Sequence, residues 1–414
     1  MELQQTSSTA LSAQASPIAA ADRIQTLDLI RGLAVLGILA VNAGGFAATL
    51  SAYGAPALWP FPDSGASAAS LWVVDAFFHQ KFITLFSMLF GASLFLVGGE
   101  RGDPERGRRL RRRLGWLVPF ALIHGLAIWW GDVLLLYAWS GLFVMFARSW
   151  RPKTLFTVGL ILFVLFSLSQ IGGALALQFA PLRVQAEAAA QFTPSASQIA
   201  QVQADMADAA GSLAGAYRQN LRGWFDLQVP SLFVFVVPTV GLMMIGLGLL
   251  KTGFLQGARS MRLYTLTVGI GAAALAVVAA LAWRDDVAHA GALWSAGVEG
   301  LLNPLIALGY ASVLILMWKA GAAGGLSPLA AAGRMALTNY LAQSLIMTSL
   351  FYGGRGLGLM GQVDRPALWG VVVTVWALQL VWSPLWLSRF RMGPAEWVWR
   401  SLTYGRAVPI RKAA

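Results

Sequence analysis

The sequence has no cysteine, only three histidines and few charged residues. The absence of cysteine excludes disulfides, thiolate nucleophiles and thiolate metal sites. The histidines, His79, His124 and His289, include no HExxH-type pair, so we expect no metal site built by the protein. Charged residues are 12% of the chain, against about 25% in soluble proteins. This composition argues against an ordinary soluble domain.

The composition instead indicates a helical membrane protein. Hydrophobic residues make up 57% of the 414 residues, with 17 Trp and 44 Gly. Tryptophan is typical of membrane interfaces, and glycine is more frequent in transmembrane helices than in soluble ones. The net charge of +12 comes from basic residues in short clusters between apolar runs. That pattern is typical of membrane topology rather than of a DNA-binding face, so we expect no nucleic-acid partner.

The apolar runs predict an all-α, polytopic membrane protein with about 10 transmembrane helices, since each helix needs about 20 apolar residues to cross the hydrocarbon. The predicted spans are 29–50, 77–98, 114–130, 133–148, 155–178, 229–250, 263–283, 301–318, 335–352 and 368–387. Only Gly131 and Asp132 separate the third span from the fourth, which predicts a tight helical hairpin.

The basic residues predict the orientation of these spans. With ten spans, most of the 30 Lys and Arg residues fall in loops on one side of the membrane, and the densest group lies in 100–113. The positive-inside rule makes this side the cytoplasm and places both termini there.

We expect a single domain. Residues 1–25 have no apolar core and no cleavage signal, which predicts a disordered cytoplasmic tail rather than a signal peptide. Residues 26–390 are expected to form one transmembrane bundle with a periplasmic arm at 179–228, and 391–414 a cytoplasmic interfacial tail. Membrane lipids are therefore expected partners, and glycine-rich helix faces are compatible with a homodimer.

Polar residues at membrane depth are the candidate functional residues, because a charge there is costly unless it faces a partner or a cavity. Asp28, Arg31 and Asn42 share one face of the first span. This face either lines a conduit, with Asp28 and Arg31 as binding residues, or holds an ion pair and one interhelical hydrogen bond.

His124 and Asp132 lie in the stretch LIHGLAIWWGDVLLLYA. His124 falls near the bilayer middle, where a buried imidazole can act as a general base. Eight residues of helix would separate it from Asp132 by about 12 Å, so we expect no direct contact unless the backbone breaks at Gly131. His124, Asp132 and Asn42 are the catalytic candidates, with His124 opening onto a hydrated chamber. The alternative is a histidine satisfied by a neighbouring helix.

Three further polar residues are candidate binding residues. Lys81 lies inside the second span, so it needs a counter-ion or must extend to the interface. His79, close to it, is expected to be solvated rather than catalytic. Asn339 and Gln343 are four residues apart on one face of the ninth span, where a structural role is the alternative.

Arg109, Arg112 and Arg113 lie at the mouth of the third span, within the densest basic run. They either bind the phosphates of a nucleotide-bearing cofactor or anchor the topology and contact anionic lipid.

Several sequence blocks, in order, resemble the YeiB-like family of uncharacterised bacterial inner-membrane proteins. They are RIQTLDLIRGLAVLGILAVN, KFITLFSMLFGASL, LIHGLAIWWGDVLLLYAWSG, GRMALTNYLAQSL and GPAEWVWRSLTYG, and the resemblance extends from about Arg23 to Arg406. It implies a multi-pass helical protein of the bacterial inner membrane.

The first block also resembles, more distantly, the transmembrane acyltransferase superfamily, which includes heparan-alpha-glucosaminide N-acetyltransferase and bacterial polysaccharide acyltransferases. In the polysaccharide enzymes a basic residue is followed, after ten positions, by a catalytic histidine; here Arg31 is followed by Asn42. The heparan enzyme has asparagine at that place and a histidine eleven residues later, where this chain has Tyr53. The resemblance implies acyl transfer, with His124 as the replacement base and Asn42 polarising the thioester.

The leading hypothesis is therefore acyl transfer from cytoplasmic acyl-CoA, such as acetyl-CoA, to a periplasmic sugar or lipid-linked acceptor. One alternative is a transporter or lipid flippase with a path of buried charges, although we find no inverted repeat of the kind many transporters have. The other is a non-catalytic partner in an envelope assembly. The sequence alone does not decide whether the protein is an enzyme.

Overall fold

The computed structural model describes residues 24–190, 193–289 and 294–412. Within these ranges the regular structure is helical, apart from an isolated β-bridge between Phe390 and Arg411. The predicted tail at 1–25 lies outside the described residues except for its last two positions. The α-helices are α1 (Gln25–Ala47), α2 (Leu50–Gly54), α3 (Ala66–Phe77), α4 (Lys81–Gly98), α5 (Pro104–Leu122), α6 (Leu134–Ala147), α7 (Pro152–Gln178), α8 (Leu182–Ala190), α9 (Ala196–Gly211), α10 (Leu213–Val234), α11 (Val236–Lys251), α12 (Met261–Asp286), α13 (Ser295–Lys319), α14 (Ser327–Arg334), α15 (Ala336–Phe351), α16 (Arg365–Arg389) and α17 (Pro394–Tyr404).

The chain is a helical membrane protein. In the described part of the chain, six helical segments are long and apolar enough to cross a membrane, or up to seven if the bent pair of α10 and α11 counts as one span. Helices also occupy the other predicted spans, but α6 has only 14 residues and α15 only 16. A helix of that length is too short to cross the hydrocarbon without tilt or help from its flanks. The count of ten spans therefore stays a prediction.

Close backbone contacts hold α11 in the centre of the bundle against α4. A Cβ at Gly91 would lie 2.0 Å from the carbonyl oxygen of Met243, and one at Gly246 would lie 1.9 Å from that of Met88. Glycine is therefore required at both positions, because any side chain would push the two backbones apart.

A second pair of glycines brings α14 into close contact with the beginning of α1. A Cβ at Gly32 would lie 2.0 Å from the carbonyl oxygen of Leu329, and one at Gly333 would lie 1.9 Å from that of Asp28. Two helices that are far apart in the sequence therefore touch backbone to backbone at one end of the bundle.

The outward face of α7 is apolar. Leu160, Ile161, Leu165 and Leu168 are each about half exposed, and only 11% of the most apolar stretch of this helix is buried. A contiguous apolar surface of this kind suits hydrocarbon rather than water.

The third and fourth predicted spans form a broken hairpin. α5 continues into a π-helical turn, Ile123–Ile128, and α6 begins at Leu134. The link between the helices is thus longer than the two residues, Gly131 and Asp132, that the hydropathy pattern predicted. It was underestimated because Trp129 and Trp130 read as helical apolar residues.

The predicted arm at 179–228 corresponds to α8, α9 and most of α10. A capping box at Ser195 begins α9, and the Ser212 hydroxyl accepts from the N–H of Gly215 at the start of α10. Arg218 then pairs with Asp208, which connects α10 back to α9. The arm is therefore a folded helical unit seated on the bundle.

Candidate functional site

His124 joins a carboxylate and a hydroxyl in one chain of hydrogen bonds. Its Nδ1 lies 2.9 Å from Asp132 Oδ1, and its Nε2 lies 2.8 Å from Ser344 Oγ. The second carboxylate oxygen of Asp132 accepts from the N–H of Leu135, at the start of α6. We call Asp132, His124 and Ser344 the polar relay. The same order of carboxylate, imidazole and hydroxyl performs general-base catalysis in many enzymes.

This contact shows that the predicted separation of about 12 Å between His124 and Asp132 was wrong. The helix does not continue between them. The π turn ends at Ile128, and Trp129 is extended, with φ −155° and ψ 134°. The backbone therefore breaks two residues before Gly131, and the chain turns back so that Asp132 reaches the imidazole.

Side chains from distant segments stabilise the broken helix by binding its freed carbonyl groups. The amide nitrogen of Asn220, on α10, donates to two carbonyls of the π turn at 2.9 and 3.0 Å. The guanidinium of Arg355 donates to the last two carbonyls of the turn. The Gln228 amide donates to the carbonyl oxygen of Asp132. A π turn secured in this way is common at functional sites.

The polar relay is enclosed in protein. The exposed fraction is 0% for His124, 5% for Asp132 and 1% for Ser344. The Tyr340 ring packs against the imidazole with centroids 4.9 Å apart. His124 lines neither of the two cavities described below, so the predicted hydrated chamber is not found at either. Both ring nitrogens are hydrogen-bonded, which matches the alternative prediction of a satisfied histidine.

A cavity of about 280 Å³ lies where α1, α3 and α16 meet, at the end of the bundle where α1 ends. We call it the aromatic cavity. Its wall is largely apolar, with a few polar groups, as is usual for sites that bind small molecules. The lining residues that matter below are Tyr53, Trp59, Asp75, His79, Arg365 and Trp369.

Asp75 and His79 form a carboxylate–imidazole pair in the wall of the aromatic cavity. Asp75 Oδ1 lies 3.5 Å from His79 Nδ1, and the His79 side chain is 44% exposed. The next residue, Gln80, has a φ of +63° and turns the chain into α4. Unlike His124, His79 keeps accessible surface for a ligand. Among the described residues no group of three or more His, Asp and Glu residues is placed to hold a metal ion.

The mouth of the aromatic cavity is held by contacts between the start of α16 and the segment before α3. Arg365 donates to Asp63 at 3.0 Å, and its guanidinium lies 4.7 Å from the ring centroid of Trp59. Asp364 accepts from the Trp59 indole at 3.0 Å. These contacts fix the segment between α2 and α3, which is rich in Pro, Gly and Ser.

The three predicted residues of the first span do not form one site. Asp28 and Arg31 pair at 3.0 Å near the beginning of α1. Asn42, near its end, is half-buried, and its neighbours Val41 and Gly44 line the aromatic cavity. Fourteen residues of helix separate Asp28 from Asn42 by about 20 Å, so the face is divided between the two ends of the bundle.

Lys81 does not extend to solvent. Its side chain is buried, with an exposed fraction of 1%, and its ammonium donates to the backbone carbonyl of Asp75 at 2.5 Å. Lys81 therefore secures the end of α3, directly behind the carboxylate–imidazole pair.

Asn339 and Gln343 belong to a buried network that attaches α15 to its neighbours. Gln343 donates to the Val35 carbonyl at 3.1 Å and to Gln379 Oε1 at 2.9 Å. Asn339 donates to Ser383 at 3.1 Å and accepts from the Trp382 indole at 2.8 Å. These amide groups are occupied by other protein groups, which corresponds to the structural alternative.

A second cavity, of about 200 Å³, lies between the first half of α5 and the end of α17. We call it the arginine cleft. It is lined by Glu105, Arg108, Arg109, Arg112, Thr403, Tyr404 and Arg406. Of the three arginines predicted either to bind phosphates or to anchor the topology, Arg109 and Arg112 line it. Arg113 does not, because its guanidinium packs on Trp399, 3.7 Å from the ring centroid.

Glu396 positions α17 beside the arginine cleft. Its carboxylate accepts from the N–H groups of Leu337 and Thr338, at 2.7 and 3.1 Å, and so caps α15. It also accepts from the Thr338 hydroxyl at 2.5 Å. Burial nevertheless raises the pKa of the Glu396 carboxyl above its usual range.

Several residues of these sites were missed as candidates. Ser344 of the relay, Arg365 of the aromatic cavity and Arg406 of the arginine cleft are distant in sequence from their partners, so no local spacing signals them. His79 was judged solvated. The spacing of four residues between Asp75 and His79 at the end of an apolar run was the available signal for that pair.

Comparison with known proteins places this arrangement in a family. A family model described as a protein of unknown function, DUF418, matches residues 249–406. The chain is 34% identical over 411 residues to the uncharacterised protein YeiB of Escherichia coli, covering 94% of this chain and 98% of that protein. It is 31% identical over 415 residues to the uncharacterised protein YxaH of Bacillus subtilis, covering 94% and 96%.

A third relative is an uncharacterised 39.9 kDa protein, from the amylase 3′ region of Bacillus acidopullulyticus, which is 29% identical over 402 residues. That match covers 95% of this chain and 97% of the relative. No solved structure matches the chain. Since the similarity to each of these proteins extends over almost the full length of both sequences, the chain belongs to the YeiB-like family of helical membrane proteins.

Proposed function

We propose that this chain is an acyltransferase of the bacterial inner membrane, with ten spans and both termini in the cytoplasm. It would pass an acyl group from cytoplasmic acyl-CoA, such as acetyl-CoA, to a sugar or lipid-linked acceptor in the periplasm. The observation that carries the proposal is the aromatic cavity, which has the Asp75–His79 pair in its wall. In this orientation the aromatic cavity faces the periplasm and the arginine cleft faces the cytoplasm.

The arginine cleft supports a phosphate-bearing donor. It brings four arginines together with a single glutamate, and that glutamate, Glu105, already pairs with Arg108 at 2.6 Å. Guanidinium groups bind phosphate oxygens in bidentate fashion, and coenzyme A carries three phosphate groups. Arg109 and Arg112 lie one helical turn apart on α5, and Arg406 adds a cation from the segment after α17.

The aromatic cavity supports the transfer step. The acceptor oxygen or nitrogen would attack the thioester carbonyl carbon while His79 Nε2 takes its proton. Asp75 would orient the imidazole through Nδ1 and stabilise its charged form, as the carboxylate does in other general-base systems. The carbon–sulfur bond then breaks, and the imidazolium returns the proton to the departing thiolate. The acyl group ends on the acceptor and coenzyme A leaves as the thiol.

Tyr53 links the cavity to the superfamily resemblance. It occupies the place where the heparan enzyme has a histidine, and it lines the aromatic cavity together with Asp75 and His79. Its hydroxyl is suited to donate a hydrogen bond to the oxygen that becomes negative during attack. Asn42, on α1 beside this cavity, is not among its lining residues, so it would polarise the thioester only if its side chain turned toward the cavity.

His124, the replacement base that the superfamily resemblance implies, is the second candidate. Its contacts with Asp132 and Ser344 have the right order for a base, but the enclosed ring leaves no room for an acceptor without movement of a neighbouring helix. In the present proposal the polar relay fixes the broken helix and α15, and His79 takes the proton.

The proposal is tested with the purified full chain in phospholipid nanodiscs. Calorimetry should detect binding of coenzyme A, and labelled acetyl-CoA should pass its acetyl group to a glycan or lipid extract of the native membrane. His79→Gln should abolish this transfer and preserve coenzyme A binding. His289→Gln is the matched control, because His289 lies outside every site described above.

Other results would redirect the proposal. A wild-type protein that does not bind coenzyme A would rule out the acyl-CoA donor. Transfer that survives His79→Gln and disappears in a folded His124→Gln variant would move the reaction to the polar relay. Proton-coupled flux in proteoliposomes that Asp132→Asn removes would favour transport instead.

A further inference from the structure

One face of α10 carries three buried polar atoms that have no hydrogen-bond partner among the described residues. They are Asn220 Oδ1, Trp224 Nε1 and Gln228 Oε1. The three residues are four apart, so their side chains lie on one face of the helix at steps of about 6 Å. They form a line rather than scattered defects.

This face of α10 lies against the broken helix. The amide nitrogen of Asn220 binds two carbonyls of the π turn, and that of Gln228 binds the Asp132 carbonyl. Trp224 sits between them, since a Cβ at Gly125 would lie 2.2 Å from its Nε1 and 3.3 Å from the Asp132 Cβ. We call the space between α10 and residues 125–132 the α10 seam.

Three adjacent orphaned groups are costly. A buried polar atom without a partner costs about 1–3 kcal/mol, and native proteins keep few of them. The two amide oxygens need donors, whereas the indole N–H between them needs an acceptor. An apolar ligand satisfies none of these atoms. Water satisfies all three, because each molecule both donates and accepts hydrogen bonds.

We infer that the α10 seam binds a short chain of water molecules that exchanges protons between His124 and the end of the bundle where α1 ends. Asp132 joins the α10 seam to His124. Its carboxylate is hydrogen-bonded to the imidazole, and its backbone carbonyl accepts from the Gln228 amide. The exposed side chains of Arg218 and Arg222 mark the solvent-facing end of α10. This inference does not depend on acyl transfer.

Radiolytic footprinting tests for the water directly, because X-rays convert bound water into hydroxyl radicals that label the nearest side chains. In the purified full chain, Trp224 should be labelled several-fold faster than Trp129, whose indole N–H already donates to the Gly45 carbonyl. Equal rates of labelling at the two indoles would overturn the inference.

A pair of variants separates bound water from bulk exposure of Trp224. Gln228→Leu removes an acceptor from the α10 seam and should reduce Trp224 labelling several-fold, whereas the labelling that comes from bulk exposure of the ring should remain. Gln219→Leu makes the same change at a partly exposed position of α10, next to Asn220, and should leave Trp224 labelling unaltered. If Gln228→Leu does not fold, Trp224→Phe removes the indole N–H together with part of the ring, and the readout moves to His124.

Nitrogen-15 NMR of histidine-labelled protein gives that readout. The chain has three histidines, so the His124 signal is assigned by elimination with His79→Gln and His289→Gln. In deuterated water the imidazole proton of His124 should exchange, and the exchange should slow several-fold in Gln228→Leu or Trp224→Phe but not in Gln219→Leu. A His124 proton that never exchanges, or that exchanges equally fast in all variants, would contradict a water chain.

Discussion

The indole of Trp224 occupies the space where a side chain at Gly125 would begin. A Cβ on Gly125 would lie 2.2 Å from Trp224 Nε1, well inside van der Waals contact. Gly125 follows His124 in the π turn, so the missing side chain lets α10 approach within contact of the polar relay. The arm and the broken helix are therefore fitted to each other at this position.

Gly125→Ala should displace the Trp224 indole and destabilise the protein by about 1–3 kcal/mol, as expected when extra atoms enter a packed interior. Thermal unfolding in detergent measures the effect. Gly115→Ala is the control on the same segment, because no atom lies within 4 Å of its Cβ. It should be neutral or slightly stabilising, since alanine favours a helix over glycine by about 1 kcal/mol. Equal melting temperatures for the two variants would argue against the contact.

Gly246→Ala should separate α11 from α4, because the new Cβ would lie 1.9 Å from a backbone oxygen that no rotamer change can move. We expect a loss at or above the upper end of the range of about 1–3 kcal/mol for overpacking. Unfolding of Gly172→Ala, on α7, provides the comparison, since its Cβ meets nothing within 4 Å. A Gly246→Ala protein as stable as this control would mean that the two helices pack differently.

Arg109→Ala should weaken coenzyme A binding by about ten- to a hundredfold, because one charge-assisted hydrogen bond contributes about 1.5–3 kcal/mol and about 1.4 kcal/mol corresponds to tenfold. Arg113→Ala should lower thermal stability through loss of its stacking on Trp399 and leave the affinity unaltered. Calorimetry with coenzyme A and with dephospho-coenzyme A measures the affinity of each variant, and thermal unfolding measures its stability. The opposite pattern would place the phosphates on Arg113 and not in the arginine cleft.

The stability of the wild-type protein, compared with that of the Glu396→Gln variant, should fall as the pH rises. The folded-state pKa of Glu396 is raised by burial, so the folded chain holds this proton more tightly than the unfolded chain does. The contribution of the protonated carboxyl is present below the usual carboxyl pKa and is lost as the pH passes through the raised value. Melting temperatures of wild type and Glu396→Gln, compared from pH 4 to pH 8, measure the difference. A difference that grows with pH would contradict the sign.

The helical membrane class followed from composition and hydropathy because both depend on the side chains alone. The position of each apolar run was informative for the same reason, and a helix lies in every predicted span. The broken hairpin was not predictable in this way. Trp129 and Trp130 are apolar and read as helix, whereas the break is stabilised by Asn220, Gln228 and Arg355 from distant segments.

The same distinction, between local sequence signals and contacts from distant segments, decides which candidate residues were predictable. The pairing of Asp28 with Arg31 was predictable from helical spacing. Arg109, Arg112 and Arg113 were predicted as a group, either to bind phosphates or to anchor the topology. The structure divides this group, because Arg109 and Arg112 line the arginine cleft while Arg113 packs on Trp399 of α17, which local sequence does not place. Depth in the membrane singled out His124, and depth does not report whether a ring has free space beside it.

The backbone contact between α1 and α14 has a consequence for biosynthesis. Helix α1 enters the membrane early, yet the groove at Gly32 is filled only when the segment around Leu329 has been made. Until then α1 has an uncovered glycine notch beside the Asp28–Arg31 pair. Any polypeptide arrested before α14 should therefore be held by insertion chaperones or degraded by membrane proteases, because its earliest helix lacks its tightest neighbour.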